Sequence, residues 1–136
     1  MCGQDLMLFF GHRFIPSDSL YHVLDIDSIS NTPPSSIIHV KFDEKNPDII
    51  EHLKLNNISF SLNIKNITEI MYASSLGASF IIVHKELANH AHKLATDYLF
   101  DAKILVKIEE ESCIEELALL GVDGVIFSSA IIKISS

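Results

Sequence analysis

Cationic and neutral polar side chains follow the apolar stretches of this chain, at the points where those stretches end. They are His12, Arg13, Lys41, Asn63, His84, Lys107 and Ser128. Lysine and arginine bind anionic groups, and histidine exchanges a proton near neutral pH. The set therefore predicts a site for a small anionic molecule, and His12 is the candidate acid or base if the site catalyses a reaction.

Most of these residues also have a structural interpretation. His84 is typical of a histidine satisfied within the fold, and His12 with Arg13 is typical of an ordinary polar loop. Lys107 is either a nucleophile that forms a Schiff base or a side chain that reaches solvent from a strand end. Neither a metal nor a cofactor is predicted, because no histidines or cysteines have chelating spacing and no glycine motif for phosphates or dinucleotides occurs.

A repeated unit determines where these residues lie. Four stretches each contain a helix stop and then an apolar strand, and they begin at Asn57, Gly77, Asp101 and Gly121. Glycine and asparagine adopt the left-handed backbone that ends many helices. Helical patterns separate the strands, and Leu94 lies in the middle of the clearest apolar stripe, which predicts that its side chain is buried.

Two further strands precede the repeats, at residues 6–10 and 37–42. Between them, Ser17 is placed to cap a short helix that would run to Leu24. About six strands alternating with helices predict a parallel sheet in a single α/β domain, residues 1–136. Six strands are too few for a complete eight-unit barrel. A truncated TIM-barrel-like sheet is expected, with an open doubly wound sheet as the alternative.

Alternation along the strands predicts two unlike sheet faces. Ile38 and Val40 share one face of their strand, whereas His39 and Lys41 share the other. One face is therefore apolar and suited to pack under helices, and the mixed face suits a barrel interior or a solvated cavity. Ligands bind at the carboxyl ends of the strands in parallel α/β folds, which is where the polar set lies.

The overall charge argues against polyanionic partners. Eighteen acidic residues outnumber ten basic ones, for a formal charge of -8. Such a surface repels phosphate backbones and anionic lipid, so neither nucleic-acid nor membrane binding is expected. No apolar run is long enough to cross a membrane, and residues 6–10 are too short for a signal-peptide core. A cytoplasmic homo-oligomer is expected, with the mixed sheet face as a candidate interface.

The last third of the chain resembles phosphate-site TIM barrels. Within residues 101–134, the stretch Gly-Val-Asp-Gly-Val-Ile-Phe-Ser-Ser-Ala is similar to the closing units of tryptophan synthase alpha chains. That resemblance implies a phosphate held by loop backbone, although Ser128 stands where those proteins have glycine. Residues 120–126 also resemble the end of glycerophosphodiester phosphodiesterases, whose amino-terminal His-Arg-Gly is matched at residues 12–13 except for its glycine. This second resemblance implies phosphodiester hydrolysis, with His12 as acid or base.

Three functions follow as alternatives from these patterns. The first is binding of a small anionic or phosphorylated molecule at the strand carboxyl ends. The second is a phosphodiester hydrolase, and the third is a homo-oligomeric structural or interaction protein without catalysis. Binding is expected first, because it requires only that the cationic residues lie at the same edge of the sheet.

Overall fold

The computed structural model describes residues 6–43 and 47–134, and within them eight strands form one sheet. The strands are β1 (Leu8–Phe10), β2 (Leu20–His22), β3 (Ile37–Lys41), β4 (Phe60–Asn63), β5 (Phe80–His84), β6 (Lys103–Lys107), β7 (Gly124–Ile126) and β8 (Ile131–Lys133). Their order in the sheet is β1-β7-β6-β5-β4-β3-β2-β8, and every pairing is parallel. The parallel α/β prediction is confirmed, but the count of about six strands is wrong.

Helices connect the strands at most of the predicted places. In the described residues they are α1 (Ile26–Ile29), α2 (Pro47–Leu55), α3 (Ile67–Ser75), α4 (Ala88–Asp97) and α5 (Ile114–Leu120), with single 3-10 turns at Lys85–Leu87, Glu111–Cys113 and Ser128–Ala130. The predicted stops Asn57, Gly77 and Gly121 have φ angles of 54°, 87° and 95°. In the third repeat Leu99, with φ 53°, adopts the left-handed backbone predicted for Asp101. None of the helices within the described ranges is long and apolar enough to cross a membrane.

The short link between β7 and β8 forces the sheet to curl. In a flat sheet the six inter-strand spacings between these strands would separate them by about 29 Å. Only five residue steps lead from Ile126 to Ile131, and an extended chain spans at most about 18 Å over that length. The sheet therefore bends into a half-barrel, which is compatible with a truncated TIM-barrel-like fold. At the seam Ser129 Oγ donates to the carbonyl of Gly11 over 3.0 Å.

Two hydrophobic cores lie on the two faces of this curled sheet. The outer core joins strand residues such as Ile38 and Val40 to buried helix residues such as Leu53 and Ile70. The inner core is built from Phe10, Leu20, Ile82, Leu105, Ile126 and Ala130. The buried apolar residues of the described α-helices belong to the outer core, whereas an open doubly wound sheet would carry helices on both faces. On α4 it is Ala88 and Ala91 that are buried, so the prediction that Leu94 is buried is wrong; it is half-buried.

The strand β2 lies where a short helix is predicted. Ser17 cannot cap a helix there, because its Oγ accepts the backbone N–H of Gly11 over 3.0 Å. The nearby helix α1 is instead capped by Asp25, whose side chain accepts the N–H of Ser28. Strand β2 pairs with β3 on one side and with β8 on the other, so its backbone groups are satisfied by chain segments that are remote in sequence.

Candidate functional site

A cavity of about 370 Å³ opens at the carboxyl ends of the strands, on the inner face of the half-barrel. Residues from six strands and from the turn after β7 line it: His22, His39, Lys41, Asn63, Ile82, Lys107, Ser128, Ile131 and Lys133. Most of these are the last inward-facing residues of their strands. We call this space the carboxyl-end cavity.

Strand alternation explains why the cavity wall is polar. In β3, Ile38 and Val40 pack in the outer core. Their alternating neighbours His39 and Lys41 therefore point to the inner face. In β4 the same alternation turns Leu62 outward and Asn63 inward. The predicted difference between an apolar face and a mixed face is therefore confirmed, and the mixed face is the one that encloses the cavity.

The floor of the cavity is apolar. Ile82 and Ile131 line the cavity and also pack in the inner core beneath it. Leu20 and Leu105, both 0% exposed, fill the half-barrel below. Because these apolar side chains lie beneath the cavity, the cavity is a cup with an apolar floor and a polar wall at the carboxyl ends of the strands.

Three lysine amines converge on this cup. Lys41, Lys107 and Lys133 come from β3, β6 and β8, and none of them forms an ion pair with a carboxylate among residues 6–43 and 47–134. Lys107 is half-buried, and the other two are exposed at the mouth. Like charges gathered in this way raise the local concentration of anions, even though the whole chain is acidic.

His39 is the most deeply buried polar residue of the cavity. It is 4% exposed, and its Nδ1 lies 2.8 Å from Ser61 Oγ, which is itself fully buried. Burial, together with smaller contributions from His22, Lys107 and Lys41, lowers the pKa of His39 to about 3. His39 is therefore neutral at physiological pH and acts there as a hydrogen-bonding group rather than as a cation.

Burial of a neutral His39 should make the fold sensitive to acid. The unfolded chain protonates this histidine near its ordinary pKa of about 6.5, whereas the folded protein does so only near pH 3. Between these values the unfolded state binds more protons. The free energy of unfolding should therefore fall as pH falls, by up to about 1.4 kcal/mol per pH unit. Urea denaturation across this window measures the slope.

A matched pair of variants isolates the contribution of His39. His39→Gln should make the pH dependence of the free energy of unfolding shallower, since glutamine does not titrate, while His22 and Glu111, whose pKa values are also lowered, maintain a smaller slope. His90→Gln changes an exposed histidine on α4 and should leave the slope as in wild type. Equal slopes in both variants would contradict the buried, neutral state of His39.

His22 lies beside His39 on the inner face of β2. Their ring centroids are 5.3 Å apart, and in the register of the sheet His22 pairs with His39 on one side and Lys133 on the other. Burial, and then the charges of Lys41 and Lys133, lower the pKa of His22. Its Nε2 is buried and has no hydrogen-bond partner within residues 6–43 and 47–134.

A carboxylate lies at the rim of the cavity, beside Ser128. Glu109 Oε1 accepts hydrogen bonds from both the backbone N–H and the hydroxyl of Ser128. The N–H at this position is therefore engaged, whereas the resemblance to phosphate-site barrels implies a loop backbone that is free to hold phosphate. Recognition of an anion in this cavity would have to rely on the lysine, histidine and asparagine side chains.

The structure brings together Lys41, Asn63, Lys107 and Ser128 of the predicted set. His84 is the last residue of β5, but it is exposed and does not line the cavity. Sequence reasoning places His39 on the inner face without naming it as a site residue. His22 and Lys133 are missed because β2 and β8, with three residues each, are too short to show alternation.

His12 and Arg13 lie in a separate cluster around Glu111. Arg13 Nε donates to Glu111 over 2.7 Å, and this pairing holds the pKa of Glu111 below its ordinary value. His12 Nε2 lies 3.2 Å from the same carboxylate, and its Nδ1 accepts the N–H of Phe14. The side chain of His12 is 4% exposed, with Phe9, Phe14 and Phe127 at its edges. Both of its nitrogens are thus engaged within the protein.

A second depression, of about 470 Å³, lies outside the barrel beside α2. Apolar side chains such as Phe42, Ile50, Leu55 and Leu76 form most of its wall. A ligand site also needs a few convergent polar groups to orient the ligand, and the carboxyl-end cavity supplies more of them.

Comparison with known proteins finds no matching family model and no matching curated protein for this sequence. In the part of the chain that the structure describes, no three His, Cys, Asp or Glu side chains are grouped to hold a metal ion. The candidate site is therefore defined by its own geometry, which is a cationic cup with an apolar floor.

Proposed function

We propose that this protein binds a small anionic organic molecule, such as a phosphate monoester, in the carboxyl-end cavity. The observation that carries the proposal is the convergence of Lys41, Lys107 and Lys133 on one cup. Asn63 adds an amide that can donate to an anion, and Ile82 with Ile131 offers an apolar floor to the rest of the ligand. A volume of about 370 Å³ falls within the range of pockets that hold small organic molecules.

Phosphodiester hydrolysis with His12 as acid or base has less support. His12 lies outside the cavity, and both of its ring nitrogens already have partners in the protein. An acid–base catalyst must reach the proton that it transfers. Assembly into homo-oligomers remains a prediction.

Removing one cavity amine should weaken anion binding strongly. A hydrogen bond to a charged group contributes roughly 1.5–3 kcal/mol, so Lys107→Met should raise the Kd for phosphate and for glycerol 3-phosphate by about 10- to 150-fold. Isothermal titration calorimetry, or NMR titration if binding is weak, measures this change.

The matched control is Lys103→Met. Lys103 lies on the same strand and in the same phase as Lys107 but at the amino end of the strand, where it is exposed. Both variants lose one positive charge, so a general effect of net charge would appear equally in both. Equal Kd values in the two variants, or no binding of either anion by the wild-type protein, would contradict the proposal.

A further inference from the structure

One nitrogen in the carboxyl-end cavity lacks the partner that buried polar atoms normally have. His22 Nε2 is buried and makes no hydrogen bond to any residue that the structure describes, whereas the large majority of buried side-chain polar atoms are satisfied in folded proteins. The neighbouring His39 differs, since its Nδ1 lies within hydrogen-bonding distance of Ser61 Oγ. Because the His22 side chain lines the cavity, a small rotation of its ring would present this nitrogen to a bound ligand, which would then supply the contact that the free protein leaves unmade.

The charges around His22 oppose its protonation in the free protein. Lys41 on β3 and Lys133 on β8 flank it, and Lys107 faces the same cavity from β6. His39, the titratable neighbour on β3, is neutral above about pH 3. The rim carboxylate of Glu109 accepts hydrogen bonds from Ser128. Burial and the two flanking lysines both lower the pKa of His22, so the free protein holds it as neutral imidazole at neutral pH.

We propose that the anion bound in this cavity accepts a hydrogen bond from His22 Nε2, and that binding adds a proton to His22. This inference rests on the proposed function and adds that binding of the anion is coupled to the uptake of a proton. A dianion placed among the three lysines offsets two of their positive charges and lies beside the His22 ring, so the protonated form of His22 becomes the favoured one. The proton comes from the solvent, so the protein within the complex carries one positive charge more than the free protein, while the dianion adds two negative charges.

The coupling defines the class of ligand that the site prefers. By linkage, a ligand whose binding takes up a proton binds more tightly as pH falls through the range in which the free and bound proteins differ in protonation. The site therefore favours anions that keep two negative charges when histidine protonates, as inorganic sulfate does. Phosphate monoesters match it best while they remain dianions.

Sulfate is the appropriate probe, because its own charge does not change in the range where histidines titrate. Calorimetric titrations in buffers of different ionisation enthalpy count the protons that accompany binding. The wild-type protein should take up close to one proton per sulfate, and its Kd should fall by up to about tenfold for each unit that pH is lowered from about 8 to about 6.

His22→Gln separates hydrogen bonding from titration. The glutamine amide can donate to the anion but cannot take up a proton, so this variant should still bind sulfate, with no proton uptake and a flat pH profile. His84→Gln, which changes an exposed histidine outside the cavity, should keep the wild-type profile. NMR titration of the His22 ring in the wild-type protein provides a measurement that needs no variant. Saturating sulfate should move its midpoint to higher pH.

The outcomes distinguish this inference from the function on which it rests. If sulfate binds and Lys107→Met weakens binding, but no proton is taken up, the proton coupling is wrong and the anion site stands. Proton uptake that is unchanged in His22→Gln, or an unmoved His22 midpoint in NMR, also overturns the coupling. If the wild-type protein binds phosphate but not sulfate, the inference about sulfate and His22 is wrong and the anion site stands. If it binds neither anion between about pH 6 and about pH 8, both proposals fail.

Discussion

Replacing Gly11 with alanine is expected to destabilise the fold by about 2–5 kcal/mol and to weaken anion binding as well. Gly11 has φ +79°, which costs an L-residue roughly 1–2 kcal/mol. An added Cβ would also lie 2.9 Å from the backbone nitrogen of Ala130 and 2.8 Å from Ser129 Oγ, and overpacking of this kind costs about 1–3 kcal/mol. The turn that would have to shift contains Ser128 and leads directly into β8, which carries Lys133. Both residues line the cavity, so the shift should disturb anion binding.

Gly77→Ala is the matched control for this substitution. Gly77 has a similar φ of +87°, but the nearest atom to an added Cβ is Lys54 Cε at 3.9 Å, which is an ordinary contact. The control should cost only about 1–2 kcal/mol in urea denaturation and leave anion affinity unchanged. If Gly11→Ala costs no more than Gly77→Ala, the close contact at the barrel seam is not present in solution.

Truncating Leu62 to alanine should cost about 2–5 kcal/mol of unfolding free energy. Leu62 is 0% exposed, and it packs in the outer core from the middle of β4, between Val40 of β3 and Ile81 of β5. The neighbouring strands and the helices over them cannot collapse into the space, so the loss combines transfer free energy with a cavity. The midpoint of urea denaturation should fall with little change in slope.

An exposed leucine provides the comparison for Leu62. Leu119 on α5 is 83% exposed, and Leu119→Ala should change the free energy of unfolding by less than about 0.5 kcal/mol. A cost for Leu62→Ala as small as that of Leu119→Ala would mean that β4 is not packed beneath the helices. Such a result would also remove the support that holds Asn63 at the cavity wall.

A cationic cup can occur in an acidic chain, because the net charge and the cavity lysines act over different distances. The net charge of -8 governs the approach of large polyanions over the whole surface. Lys41, Lys107 and Lys133 act over the few ångströms inside the cavity, where surrounding protein screens them less than bulk water does. A small anion can therefore bind in the cavity of a protein whose overall charge repels nucleic acid.

The sequence by itself determined the α/β class, the parallel sheet and the two unlike faces. These features depend on periodicity within single strands and helices, as in Ile38-His39-Val40-Lys41, and on helix stops such as Gly77 and Gly121. Periodicity also placed Lys41 and Lys107 at the ligand end of the sheet, because the direction of a parallel strand follows from chain order alone.

Only the tertiary structure decided how far the sheet curls and which residues complete the cavity. Leu20 of β2 pairs with Ile131 of β8, at the other end of the chain, and no local pattern encodes such a partner. Strands of three residues show too little alternation to be recognised in the sequence, so β2 and β8 were not predicted. His22 and Lys133, which lie on these strands, were therefore not predicted as site residues. The contacts of His12 also depend on the tertiary structure. The carboxylate that engages its ring belongs to Glu111, which follows a strand in the second half of the chain.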